Sequence, residues 1–292
     1  MDLELWSVRP LWLTVLAALW GAAAGLLVPR AAYRFAVEPD EAWRTRCPDG
    51  HVLTGAAGGW LGLARCPDCA QDLRDSRTSR SAPGDAGRVS GDAGRVPGDA
   101  GRVPGDAPTA YRYGPGTPLV GLATAGTCAG LALATGARPE LAVWLLLAPL
   151  GVLLAVVDFR VQRLPDVLTL PLAGLALVLL GVMALVPEHA GQWPTALFGS
   201  LVLGGAYFLL FLVNPNGMGF GDVKLALGIG AVLGWYGWGT VVLGTFAGFL
   251  FGGLYGLVLV LMRRAGRKTS IPFGPFLLAG AYAGLLIGAY AA

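Results

Sequence analysis

The sequence is poor in charge. Asp, Glu, Lys and Arg make up 13% of its 292 residues, against roughly 25% in an ordinary soluble domain, which argues against a soluble globular chain. From Val167 to Gly221 the single formal charge is Glu188, and from Leu225 to Met262 there is none. Cysteine numbers four and histidine two, too few for a disulfide scaffold. The amino terminus lacks the basic start and small-residue cleavage site of a signal peptide. Its first ten residues carry Asp2, Glu4 and a lone Arg9, so the first apolar run reads as a retained anchor. The net charge of +3 does not point to nucleic acid, because the basic residues are distributed by membrane topology.

What is present is apolar surface, 55% of the residues. A spanning helix needs about 20 mostly apolar residues, and runs bounded by charge, proline and glycine predict eight: 11–28, 117–136, 140–157, 167–186, 193–213, 222–235, 239–262 and 273–291. Trp235, Tyr236 and Trp238, interleaved with Gly234 and Gly237, read as an aromatic turn at a membrane interface. The fold class is therefore an all-α polytopic integral membrane protein with about eight transmembrane helices. With alternating connections, segments 30–116, 158–166, 214–224 and 263–272 share one side and hold 19 of the 21 Lys and Arg residues, leaving Arg9 and Arg138 for the other. The positive-inside rule makes the first side cytoplasmic and both termini external.

The chain divides into a first anchor (1–29), a small cytoplasmic insertion (30–80), a tether (81–116) and a seven-helix membrane domain (117–292). The insertion holds Trp43, Trp60 and three of the cysteines, enough for a small metal-stapled unit but not for a sizeable core. In the tether, Ala82-Pro-Gly-Asp-Ala-Gly-Arg88 recurs from Val89 to Arg95 and from Val96 to Arg102, then decays. With a Gly-Asp turn and at most one larger apolar side chain per unit, it reads as a disordered linker.

Two carboxylates stand out. Asp158 follows the apolar run Leu145 to Val157, and Asp222 opens the sixth helix after Gly219-Phe220-Gly221. Acids at membrane depth are costly and mark functional sites, and the topology brings both to one face. A sixth helix of about 14 residues rises only about 21 Å, less than the roughly 30 Å hydrocarbon core, so Asp222 starts below the surface, where a water-accessible cleft is implied. Two close carboxylates share one proton, so that one acts as base on a water while the other polarises a carbonyl, the logic of an aspartic protease. Ion pairing with the nearby Arg160 and Lys224, or an ion pathway in a proton-coupled transporter, are the competing readings. The absence of an evident internal duplication disfavours the transporter.

Asp158-Phe-Arg-Val-Gln-Arg-Leu-Pro-Asp166 and Met218-Gly-Phe-Gly-Asp-Val-Lys-Leu225 resemble the two signatures of the prepilin peptidases, the type IV leader peptidases of the GxGD aspartic protease class. Ile271-Pro-Phe-Gly-Pro-Phe-Leu277 is similar to the family's segment before its last helix. The resemblance implies an endopeptidase in the bacterial cytoplasmic membrane, active site toward the cytoplasm, that cuts the basic leader from type IV prepilins or pseudopilins after a glycine. It places Asp158 and Asp222 as the catalytic pair, Gly219 and Gly221 as loop glycines, and Asp166 with Lys224 as support. From its position alone, Asp166 reads as the N-cap of the fourth helix.

Cys66-Pro-Asp-Cys69 is a good metal half-site. Upstream, Cys47-Pro-Asp-Gly-His51 lacks the second Cys-x-x-Cys pair of many family members, because Gly50 occupies the missing position. His51 supplies a fourth ligand in a structural Cys47, His51, Cys66, Cys69 zinc site, the competing reading being a vestigial site with free thiols. Those family members also N-methylate the new pilin terminus with S-adenosylmethionine. The broken pair, and a first span that keeps only Gly21, Gly25, Pro29 and Arg30 of the family's N-terminal motif, put that activity in doubt. Cys128 reads as a buried small apolar residue. Gly244, Gly248, Gly252 and Gly256 form a ridge for close helix packing, within the chain by default, with a homodimer face left open.

Overall fold

The computed structural model describes residues 3–38, 41–81, 113–114, 116–215, 217–262 and 272–292. The repeat of the expected tether lies outside them. Eleven helices follow in order: α1 (Leu3–Gly25), α2 (Val28–Phe35), α3 (Ala56–Gly59), α4 (Pro67–Ser81), α5 (Thr117–Thr135), α6 (Leu141–Val161), α7 (Asp166–Met183), α8 (Trp193–Val213), α9 (Phe220–Gly234), α10 (Trp238–Leu261) and α11 (Gly274–Ala291). Among the described residues the single β-bridge pairs Arg46 with Val52. The protein is an all-α, multi-pass membrane protein, with seven helices among the described residues long and apolar enough to cross a bilayer.

The expected span missing from these seven is the sixth, 222–235, which is α9. Its 15 residues rise about 22 Å, short of a full crossing, and it is the central helix, packed against α7, α8, α10 and α11. Small residues make this possible. A Cβ added at Gly199 of α8 would lie 2.5 Å from the Gly230 carbonyl oxygen of α9, and one at Gly234 would lie 2.4 Å from the Thr195 oxygen, so the two backbones touch. The expected glycine ridge on α10 is used in the same way. Gly244 and Gly248 meet Gly280 and Gly284 of α11, so this part of the ridge serves packing within the chain. Cys128 is buried, as expected, between α5 and α1.

Two local expectations are corrected. Trp235 and Tyr236 do form the turn between α9 and α10, but Trp235 is not an interfacial side chain. It is 1% exposed and wedged against Gly191, its carbonyl accepting from the Gln192 amide at 2.9 Å. Nor does Asp166 cap α7. Pro165 occupies the N-cap position with no side-chain bond, and Asp166 sits in the first turn, where a negative charge suits the helix dipole.

Candidate active site

Asp158 lies in the last turn of α6. The helix stops at Gln162, which adopts a left-handed conformation with φ 50° and whose amide bonds back to the Asp158 carbonyl at 2.8 Å. Asp222 lies in the first turn of α9, its amide donating to the Gly219 carbonyl at 3.0 Å. Both carboxylates are buried, 4% and 7% exposed, and they lie within electrostatic reach of each other.

A third helix end completes the constellation. The first N–H of α11, from Gly274, donates to Asp158 Oδ2 at 3.1 Å. Asp158 thus sits at the positive end of one helix and Asp222 at that of another, an arrangement that favours negative charge. Leu164 packs between Gly221 and Gly274, since a Cβ on Gly221 would come 2.9 Å from Leu164 Cβ and one on Gly274 would come 3.4 Å from Leu164 Cδ1. Beside the acids, an apolar cavity of about 310 Å³ runs between α5, α6, α7, α9 and α11. Ala155, Leu225 and Pro275 line it near Asp158, Asp222 and Gly274, and Trp144 and Leu285 line it farther along.

Asp166 and Lys224 are brought together, Nζ to Oδ2 at 2.6 Å, and Lys224 also lies over the Phe220 ring at 4.7 Å. This pair answers one competing expectation. Lys224 is engaged by Asp166 rather than by Asp222, and among the described residues neither Asp158 nor Asp222 has an ion-pair partner. Sequence reasoning gave no individual role to Gly274, although it lies in the noted segment before α11. It missed Tyr207 of α8, whose ring packs on Phe273 next to Gly274 at 6.4 Å. A tyrosine within an uncharged span was the available signal.

The four expected metal ligands also converge. Gly50, with φ +88°, makes a turn closed by the Gly50 amide on the Cys47 carbonyl at 3.0 Å. That conformation suits glycine and carries His51 back over Cys47. Cys66 and Cys69 are presented by the start of α4, three residues apart and hence on one face. His51 Nδ1 lies 3.7 Å from the sulfurs of Cys47 and Cys66 and 3.2 Å from that of Cys69, and Cys47 and Cys69 are 3.6 Å apart. A tetrahedron with metal–sulfur bonds of about 2.3 Å has edges of about 3.8 Å, so the group fits a metal ion. His51 Nε2 is 3.7 Å from Asp72 Oδ2, a carboxylate placed where it would orient the ring of a metal-bound histidine. Burial, with a hydrogen bond from the thiol to Asp49, pushes the Cys69 thiol up. At Cys47 burial acts the same way but is outweighed by bonds from the His51 and Asp49 backbone and from Cys69 and Cys66, and that thiol is lowered.

The segment that carries this Cys and His cluster is docked on α2 by two buried arginines. Arg30 donates to the Thr54 carbonyl and Arg34 to the Gly58 carbonyl at 2.9 Å, with the Arg34 guanidinium 3.9 Å over the Trp60 ring.

Comparison with known proteins agrees with the geometry. Residues 145–257, which include both aspartates, match the type IV leader peptidase family. Curated proteins named prepilin leader peptidase/N-methyltransferase are similar. That of Pseudomonas aeruginosa is 35% identical over 179 residues, 59% of this chain and 58% of that protein. That of Aeromonas hydrophila is 36% identical over 62% of this chain and 60% of that protein, and that of Escherichia coli 40% identical over 44% and 55%. The chain thus spans about half to three fifths of the length of the curated relatives it matches. No solved structure matches. Asp158 and Asp222 both fall inside the stretch, residues 145–257, that is similar to the type IV leader peptidase family.

Proposed function

We propose that the protein is a membrane-embedded aspartic endopeptidase that removes the leader of type IV prepilins or pseudopilins at the cytoplasmic face of the bacterial membrane. The observation that carries this reading is that two buried carboxylates, without ion-pair partners among the described residues, come within electrostatic reach of each other at one end of the bundle, where α6 ends and α9 and α11 begin. The chemistry follows from one shared proton. The ionised carboxylate takes a proton from a water, whose oxygen attacks the scissile carbonyl, while the protonated partner donates to the carbonyl oxygen. The apolar cavity beside the acids suits the hydrophobic helix expected just after the cleavage point, and the basic loops suit an anionic headgroup layer at the same face.

One structural zinc on Cys47, His51, Cys66 and Cys69 would fold the insertion beside the site. With four protein ligands it has no open position, so it takes no part in the cleavage. N-methylation with S-adenosylmethionine, which the relatives' names include, has weaker support in this chain. Gly21 and Gly25 are accounted for by the packing of α1 on α5, where a Cβ on either would meet Thr124 within 2.9 Å. Among the remaining motif residues, Arg30 is engaged with the insertion.

The test is gel-shift cleavage of a leader-bearing prepilin co-expressed in membranes. Asp158→Ala, Asp222→Ala and the corresponding Asn variants should each abolish cleavage while inserting normally, because an amide cannot exchange the proton. Asp166→Ala should keep substantial activity. Normal cleavage by Asp222→Ala sinks the peptidase reading, and loss confined to Asp166→Ala means that a different pair of carboxylates does the chemistry. Mass spectrometry of the mature product, read for a methyl increment, tests the second step.

A further inference from the structure

Tyr207 is 1% exposed. Its ring is held between two helices, stacked on Phe249 of α10 at 5.9 Å and tilted on Phe273, the residue before Gly274, at 6.4 Å. It belongs to the same apolar cluster as Leu164, which lies against Gly221 and Gly274, and Val223, the residue after Asp222. Its hydroxyl lies within electrostatic reach of the Asp222 carboxyl but has no hydrogen-bond partner among the described residues. A buried donor left unsatisfied in a folded protein is costly and requires a reason. Here the ring is fixed by aromatic contacts on two sides, so the hydroxyl is both preorganised and free, as required of a group that binds charge appearing only during reaction.

We propose that the Tyr207 hydroxyl is the third polar group of the catalytic site, donating a hydrogen bond to the scissile carbonyl oxygen as negative charge develops on it in the transition state. This rests on the peptidase reading and deepens it. In the attack step one carboxylate removes a proton from water and the water oxygen bonds to the carbonyl carbon. The carbon–oxygen π pair moves onto the carbonyl oxygen, which takes the proton of the partner carboxyl. Tyr207 holds that oxygen throughout and keeps its own proton, since a phenol with a pKa of about 10 remains a neutral donor at working pH. On collapse the carbon–nitrogen bond breaks, the leaving nitrogen takes a proton from the first carboxyl, and the second recovers its proton from the gem-diol. The dyad is restored and Tyr207 is unchanged.

Tyr207→Phe deletes only the hydroxyl and keeps both ring contacts, so folding is preserved. In purified full-length protein acting on a leader-bearing prepilin, kcat should fall about 100-fold, the scale set by loss of one oxyanion donor, with KM and melting temperature held. A leader peptide carrying a secondary-alcohol isostere at the scissile position should lose affinity with kcat, while an uncleavable ground-state peptide should not. A kcat within twofold of wild type overturns the proposal, as does a loss confined to KM or to melting temperature, which would make Tyr207 a packing residue. Failure of the wild-type protein to cleave takes down the peptidase reading and this inference with it, and is distinct from a wild-type enzyme matched by Tyr207→Phe.

Discussion

Adding one methyl group at Gly274 should disable the site, whereas adding one at Gly219 should not, although Gly219 belongs to the more recognisable motif. A Cβ at Gly274 would lie 2.8 Å from Asp158 Oδ2 and 3.2 Å from its Cγ. Relieving that overlap needs a retreat of about half an ångström. The hydrogen bond from the Gly274 amide is 3.1 Å long, so the same retreat carries it to about 3.6 Å, beyond useful length. A hydrogen bond to a charged group is worth about 1.5–3 kcal/mol, and each 1.4 kcal/mol or so is tenfold. Gly274→Ala should therefore lower kcat/KM by about 10- to 150-fold. At Gly219 the added atom would lie 3.6 Å from Asp222 Oδ2, an ordinary contact, on backbone with φ −72° that any residue accepts. Gly219→Ala should stay within about threefold of wild type, losing only a weak N-cap preference. Gly221→Ala should fall between, since the obstacle is Leu164 Cβ at 2.9 Å, in a loop that can yield. Initial rates of leader cleavage by purified variants decide the matter. Gly274→Ala cleaving at the wild-type rate, or Gly219→Ala as impaired as Gly274→Ala, would refute the placement of the Asp158 carboxyl against the α11 amide.

Metal analysis of the purified protein should give one equivalent of zinc, lost in the double variant Cys66→Ser with Cys69→Ser. Asp72→Ala should weaken metal affinity about 10- to 100-fold through its contact with His51. Unchanged zinc in the double variant would show that the four ligands do not form one site. Arg34→Met removes a charge-assisted hydrogen bond and a cation–π contact, about 2–4 kcal/mol together. Limited proteolysis should then cut faster within 41–81 while bound zinc is retained, and an unchanged digestion rate would mean that α2 does not hold the insertion.

Much of this architecture can be read from the chain because charge is so unevenly placed. Stretches without Lys, Arg, Asp or Glu mark the spans, and Asp158 and Asp222 stand out because acids at such positions are costly. Sequence spacing could also bring His51 to Cys47, with Gly50 as the turn between them. Features that depend on contacts between distant segments were less legible. Asp166 looks like a cap from its place before an apolar run, yet its partner is Lys224, 58 positions on. Trp235 looks like an interfacial anchor, but Gly191, in a different loop, leaves it a pocket. Tyr207 carries only a faint local signal, a tyrosine within an uncharged span. Its meaning comes from Phe249, Phe273 and Asp222, which lie on other elements or at their ends.

The shortness of α9 and the glycines of its neighbours are two parts of one device. A helix too short to cross the bilayer can hold its amino end, here the end that carries Asp222, below the membrane surface, provided the protein surrounds it. Surrounding it closely requires neighbours without bulk. Gly199, Gly230 and Gly234 bring α8 into backbone contact with α9, and a Cβ on Gly204 would collide with Leu227 of α9 at 2.3 Å. Tyr207 follows Gly204 by one helical turn on α8, and Asp222 precedes Leu227 by a little more than one turn on α9. The glycine contacts thus fix how far the hydroxyl stands from the carboxyl. On the other side α11 meets α10 through Gly280 and Gly284, and its first amide reaches Asp158. Close packing in the uncharged interior of the bundle is therefore what places three polar groups at its end, and the glycines that carry no chemistry set the geometry for the residues that do.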